Sequence, residues 1–152
     1  MTATPKRLLL VEDDENDLEL TLTALEKSHL ANGVDVARDG EEALEYLERR
    51  GRHAGRAEAD PVVVLLDIKL PRVDGLEVLQ RMRESPQLRV VPVVMLTSSR
   101  EERDIVRSYG LGVNAYVVKP VEFAEFMTAI RELGLFWAVI NQPPPRAPDA
   151  AP

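Results

Sequence analysis

Val62-Val63-Val64-Leu65-Leu66-Asp67-Ile68 is the stretch on which the reading of this chain turns. Consecutive apolar residues without polar alternation suit a strand buried on both faces, as in a parallel sheet covered by helices on each side. Similar runs lie at Leu8-Leu9-Leu10-Val11 and at Val90-Val91-Pro92-Val93-Val94-Met95-Leu96, whose proline sits near the start, where a lost ladder donor is tolerated. Ala115-Tyr116-Val117-Val118 is a fourth run and Val34-Asp35-Val36-Ala37 a weaker fifth. Between and after them, apolar residues recur at helical spacing: Leu18, Leu22 and Leu25, then Ala43, Leu44 and Leu47, then Leu76, Leu79 and Met82. Ile105, Val106 and Tyr109, and finally Phe123, Phe126, Met127 and Ile130, continue the pattern. Five β-α units in alternation predict an α/β fold, a doubly wound parallel sheet with right-handed crossovers.

The 152 residues, 45% of them hydrophobic, suffice for the core of one domain. A formal charge of -7 argues against a nucleic-acid partner, since phosphate backbones are bound by clustered Lys and Arg. With no cysteine, disulfides, thiolate metal sites and cysteine nucleophiles are excluded, and a reducing cytoplasm is acceptable. The apolar run near the N-terminus is only Leu8 to Val11, too short for a signal-peptide core or a membrane span, so a cytoplasmic location without a membrane partner is expected. Arg49-Arg50-Gly51-Arg52-His53-Ala54-Gly55-Arg56-Ala57-Glu58 reads as a solvated loop before the third strand. Residues 1–140 are expected to form the domain, including a C-terminal apolar extension. Residues 141–152, five of them proline, are expected to form a flexible tail.

Ligands of an open parallel sheet bind outside the carboxyl ends of its strands. Here the first strand ends in Glu12-Asp13-Asp14, the third in Asp67, the fourth in Thr97-Ser98 and the fifth in Lys119-Pro120. Converging carboxylates repel, and capture of a hard divalent cation by their oxygens relieves the repulsion. Magnesium suits this number of acids, because it keeps several waters and leaves a position for a phosphate oxygen. Asp67 follows a wholly apolar run, where an unpaired charge would be costly, so a functional role is favoured there. Glu15 and Asp17 read instead as ordinary acids at a helix N-terminus. Lys119-Pro120 is a candidate cis peptide.

Taken together, Glu12-Asp13, the segment Val63-Val64-Leu65-Leu66-Asp67-Ile68-Lys69-Leu70-Pro71-Arg72-Val73-Asp74-Gly75, Thr97-Ser98 and Lys119-Pro120 resemble the receiver domains of two-component signalling. The resemblance spans residues 6–134. It implies a flavodoxin-like sheet of five strands in the order 2-1-3-4-5 with five helices, and a phosphoacceptor at Asp67. It further implies magnesium, with manganese possible, held by Asp13, Asp67 and the backbone carbonyl of Lys69, with Glu12 acting through water. Thr97 and Lys119 would bind phosphoryl oxygens, an arrangement that agrees with phosphoryl transfer being mostly positioning and charge neutralisation. Tyr116 takes the place of the family's rotating aromatic switch. Lys69 and Ser99 stand at variable positions expected to tune the lifetime of the phosphorylated state.

The long loop of residues 51–60 and the ending Leu133-Gly134-Leu135-Phe136-Trp137-Ala138-Val139-Ile140 resemble, more narrowly, the stand-alone regulators paired with bacterial and cyanobacterial phytochromes. A phytochrome acting as sensor histidine kinase would then be the partner, with a further relay or effector protein downstream. Only intrinsic self-phosphorylation and self-dephosphorylation would be expected of the chain itself. The apolar run containing Leu135, Phe136, Trp137 and Ile140 suggests a homodimer through the fourth helix, fifth strand and fifth helix. A haloacid-dehalogenase-type phosphatase would need an aspartate where Lys69 stands, and a dinucleotide-binding domain would need glycines where Glu12-Asp13-Asp14-Glu15-Asn16 stands. A receiver-fold binding module acting without phosphorylation is the remaining alternative, and the complete set of acids, threonine and lysine argues against it.

Overall fold

A computed structural model describes residues 7–27, 33–57 and 59–135. Its elements run β1 (Leu8–Val11), α1 (Glu15–Lys27), β2 (Val34–Ala37), α2 (Gly40–Glu48), a 3-10 turn (Gly51–His53), β3 (Val63–Asp67), α3 (Gly75–Glu84), β4 (Val93–Thr97), α4 (Arg100–Ser108), β5 (Ala115–Val118) and α5 (Phe123–Glu132). The five strands form one parallel sheet in the order β2-β1-β3-β4-β5, as expected.

β1, β3 and β4 are buried along their whole length, which is why their sequences show no alternation. Their side chains nevertheless divide by parity into two cores. Leu9, Val11, Val64, Leu66, Val93 and Met95 pack with Leu44 and Leu47 of α2, Leu79 and Met82 of α3 and Val106 of α4. Leu8, Leu10, Val63, Leu65, Val94 and Leu96 pack with Leu18 and Leu25 of α1 and Phe126 and Ile130 of α5. β2 is an edge strand with three half-buried residues, hence its weaker pattern.

Side-chain caps set where α2, α3 and α4 begin: Asp39, Asp74 and Ser99 accept from the backbone N–H groups of Glu42, Glu77 and Glu102 respectively. α2 stops at Arg49, which adopts the left-handed conformation with φ 52°.

The structure corrects several expectations. β3 ends in Asp67 as expected, but Val62 precedes the strand. Val90 and Val91 stay outside β4, because pairing starts only after Pro92, whose carbonyl accepts from Val64 N. Of the apolar trio around α4 only Val106 is buried, while Ile105 and Tyr109 are 53% and 62% exposed.

The loop after α2 is fastened down. Its Arg56 lies 4.1 Å over the Tyr46 ring and donates to the Tyr46 carbonyl, and Arg49 pairs with Asp60 at 3.1 Å. Tyr46 itself donates to Asp35 of β2 at 2.6 Å. Glu58 lies outside the described residues, as do Phe136, Trp137 and Ile140 of the apolar ending and all of the proline-rich tail.

Candidate functional site

Strand register brings the expected residues together. Val11 is level with Leu66, so Glu12 and Asp67 are level one step further along, and Asp67 is level with Leu96. Thr97 ends β4 level with Val118, and Lys119 follows, donating its backbone N–H to the Thr97 carbonyl at 2.7 Å. Four strand ends thus converge on one spot. The peptide between Lys119 and Pro120 is cis, as expected.

The carboxylates of Glu12, Asp13 and Asp67 each place an oxygen within 4.8 Å of the others. Glu12 is fully buried and Asp67 is 3% exposed, whereas Asp13 opens to solvent. This is an all-oxygen set with a wet side, the kind of arrangement magnesium or manganese takes with waters completing its shell. Burial, together with a hydrogen bond shared with Asp67, pushes the Glu12 carboxyl up to about 7, so the pocket resists holding full negative charge by itself.

Lys119 is the resident cation. Its ammonium lies 2.9 Å from Asp67 Oδ2, 3.1 Å from Asp17 Oδ2 and 3.2 Å from Glu12 Oε1, which accounts for its three donors. Burial alone would lower its pKa, but the hydrogen bond and charge of Asp67, then Asp17 and Glu12, outweigh burial and raise it. Asp17 is therefore more than a helix-terminal acid, which corrects the reading from sequence. Its contact spans 102 residues of chain and depends on the end of β5 and the first turn of α1 lying at the same edge of the sheet, information no local pattern carries. Glu15 pairs with Arg38 away from the site.

The β3–α3 loop closes over Asp67. Lys69 N donates to Asp67 Oδ1 at 3.3 Å, Gly75 N donates to the Ile68 carbonyl at 3.0 Å, and a Cβ at Gly75 would collide with the Asp67 carbonyl oxygen. Only glycine fits there. Arg72 takes a left-handed φ of 67° in the same turn.

On the far side Thr97 is fully buried, and its Oγ1 lacks a hydrogen-bond partner. An unpaired buried hydroxyl is costly, and one at a strand end beside an acid cluster is suited to donate to a phosphoryl oxygen. Tyr116 is half-buried, with the guanidinium groups of Arg107 and Arg103 at 5.3 and 6.0 Å from its ring.

Glu102 is the residue that sequence reasoning missed. It is 8% exposed. Its Oε1 accepts from Ser98 N at 2.7 Å, its own N–H donates to Ser99 Oγ at 3.2 Å, and its Oε2 lies 3.1 Å from Lys69 Nζ. Burial pushes its carboxyl up, but the Ser98 and Lys69 partners bring it below the usual range. The spacing Ser99-x-x-Glu102 before a helix is a capping signal that could have exposed it.

A five-stranded parallel sheet in this order, with acids, a hydroxyl and a lysine at its carboxyl edge, defines a phosphotransfer signalling module. Residues 8–131 match the family described as the response regulator receiver domain, and the chain belongs to that family. Membership places it among signalling regulators whose partners are histidine kinases.

The chain is similar to the bacteriophytochrome response regulator RtBRR, at 64% identity and a TM-score of 0.86, covering 96% of this chain and 88% of that one. It is also similar to the response regulator Rcp1 of Synechocystis sp., at 35% identity over 88% of this chain and 89% of the relative. The Mn(2+)-bound form of Rcp1 aligns with a TM-score of 0.71 at 34% identity, over 93% of this chain and 100% of that chain. A phosphorylated cyanobacterial phytochrome response regulator, RcpA, aligns with a TM-score of 0.70 at 38% identity, covering 88% and 94% of the two chains. Among the described residues no helix is long and apolar enough to cross a membrane.

Proposed function

We propose that this chain is a stand-alone, cytoplasmic response regulator, with residues 1–140 as its domain, and that Asp67 accepts a phosphoryl group from the phosphohistidine of a sensor kinase. The observation that carries this is a buried Asp67 carboxylate held 2.9 Å from Lys119, flanked by Glu12 and Asp13, with an unpartnered buried Thr97 hydroxyl at the end of the neighbouring strand. Glu12, Asp13, Asp67 and the Lys69 backbone carbonyl are the groups that would hold magnesium or manganese. When bound, the ion neutralises charge on the phosphoryl oxygens.

Each remaining residue has work of its own. An Asp67 oxygen forms the bond to phosphorus while the phosphohistidine N–P bond breaks. The Lys119 ammonium shifts from carboxylates to a phosphoryl oxygen, and the Thr97 hydroxyl gains a partner. As Thr97 moves, Tyr116 leaves its place beside Arg103 and Arg107 and carries the change to the α4–β5 face. Lys69 and Ser99 tune how long the acyl phosphate survives, through self-dephosphorylation, and a small phosphodonor replaces the kinase in self-phosphorylation.

RtBRR, Rcp1 and RcpA support a phytochrome as the kinase, with an effector or relay protein downstream. A homodimer through α4, β5 and α5, extended by Leu135, Phe136, Trp137 and Ile140, is the assembly we propose. A groove of about 740 Å³ runs along this face, lined by Arg103, Val106, Tyr116, Val118 and Ala129 among others.

Labelling with radioactive acetyl phosphate and magnesium tests the central reading. The wild type takes up label, and Asp67→Asn, which removes the nucleophile but keeps the shape, takes up none while its circular dichroism is unchanged. Label retained by Asp67→Asn at the wild-type rate would move the acceptor elsewhere.

A further inference from the structure

Two lysines stand close to Asp67, and they behave differently. Lys119 closes on the carboxylate at 2.9 Å. Lys69, only two residues along the chain, is rooted by its own amide 3.3 Å from Asp67 Oδ1, yet its ammonium is given to Glu102 of α4 at 3.1 Å. The Lys69 side chain is 81% exposed and could turn in many directions, so its placement rests on that one partner. Glu102, by contrast, is held: its carboxylate and its backbone are tied to Ser98 and Ser99, the two residues that follow Thr97.

We propose that Glu102 is a positioning residue for hydrolysis of phosphorylated Asp67, drawing the Lys69 ammonium onto α4 and keeping the approach of water to phosphorus open. The inference rests on Asp67 being the phosphoacceptor. In the step concerned, a water oxygen forms a bond to phosphorus and the bond between phosphorus and the Asp67 oxygen breaks. The electron pair stays on the carboxylate, and inorganic phosphate leaves carrying one proton of the water while the other passes to solvent.

An ammonium group has donors and no acceptor. A water bound to it is held by its lone pair, which turns the nucleophilic electrons away from phosphorus. A phosphoryl group carries up to two negative charges, and a released Lys69 is rooted close enough to be drawn to it. There its stem also occupies space through which water attacks. Glu102 offers the competing carboxylate, already desolvated and hydrogen-bonded, and so holds the cation aside.

The test compares half-lives of the labelled protein in magnesium after removal of acetyl phosphate, for the full chain, Glu102→Gln, Lys69→Met and the double variant. Gln keeps the oxygen that accepts from Ser98 and loses only the charge that holds Lys69. Glu102→Asp, whose shorter carboxylate retreats from Lys69, serves as an independent second change, and circular dichroism verifies that each variant folds. Glu102→Gln and Glu102→Asp are expected to lengthen the half-life several-fold, and Glu102→Gln is expected to add nothing in the Lys69→Met background. Half-lives equal to wild type, or the same lengthening with and without Lys69, would overturn the proposal. A wild type that takes up no label would overturn the Asp67 reading and this inference with it.

Discussion

At the scale of single residues, Thr97 and Glu12 both hold positions that cost the fold something. Thr97 Oγ1 is buried without a partner, and such a group costs about 1–3 kcal/mol in desolvation. Thr97→Val, which keeps the shape, should therefore raise the stability of the unphosphorylated domain by about 1 kcal/mol in urea melts. It should also weaken the change that phosphorylation produces. Glu12 behaves oppositely with pH, because its folded-state pKa of about 7 lies above its ordinary value of 4.5. Its protonated form is favoured on folding, so that contribution to stability is complete below about 4.5 and is lost as pH rises through about 7. A bound divalent cation must displace the same proton. Magnesium affinity measured by calorimetry should then rise between about pH 6 and about pH 8, and Glu12→Gln should flatten that rise.

At the scale of elements, one connection shapes the site and another ties together the opposite end of the sheet. Gly75, at the start of α3, lies against the Asp67 carbonyl where no Cβ fits. Gly75→Ala should cost about 1–3 kcal/mol, the usual penalty of overpacking, and slow phosphoryl uptake by displacing the β3–α3 loop. Arg83, near the end of α3, donates to the carbonyls of Leu111, Arg89, Val91 and Gly112 and to Asn114 Oδ1, joining α3 to the segments on either side of β4. Arg83→Ala should destabilise the domain by about 2 kcal/mol. Arg83→Lys should rescue it only in part, because an ammonium cannot reproduce the planar fork, and thermal melts of the pair would show the difference.

Much of this level was legible beforehand. Unbroken apolar runs such as Leu8–Val11 mark central strands because both faces are covered, and a charged residue at their end, Asp67, stands out against them. What stayed hidden were contacts made by the topology. Asp17 meets Lys119 only because the start of α1 and the end of β5 share one end of the sheet, and Lys69 meets Glu102 only because the β3–α3 loop lies beside the first turn of α4. The apolar character of Ile105 and Tyr109 misled for the same reason, since helical spacing cannot say whether the face it marks is covered by the chain's own core.

At the scale of the whole molecule, that exposed surface is where a second copy would sit. Ile105, Tyr109, Val118 and Phe123, all on or next to α4, β5 and α5, are each more than two-fifths exposed. Sedimentation equilibrium at about ten micromolar or above should show a dimer, with Trp137→Ala and a chain ending at Gly134 shifted to monomer. A monomeric wild type would refute the assembly, and a dimer indifferent to both changes would put the interface elsewhere. The ion pair between Lys119 and Asp67 also bridges 52 residues of chain. During synthesis the acids emerge first and their cation much later. On the proposed reading, a partly made chain would carry Asp67 without the Lys119 ammonium that meets it, and would not be switched on until the fifth strand had joined the sheet. Competence to respond would in this way be a certificate of finished manufacture, issued by the last strand to arrive.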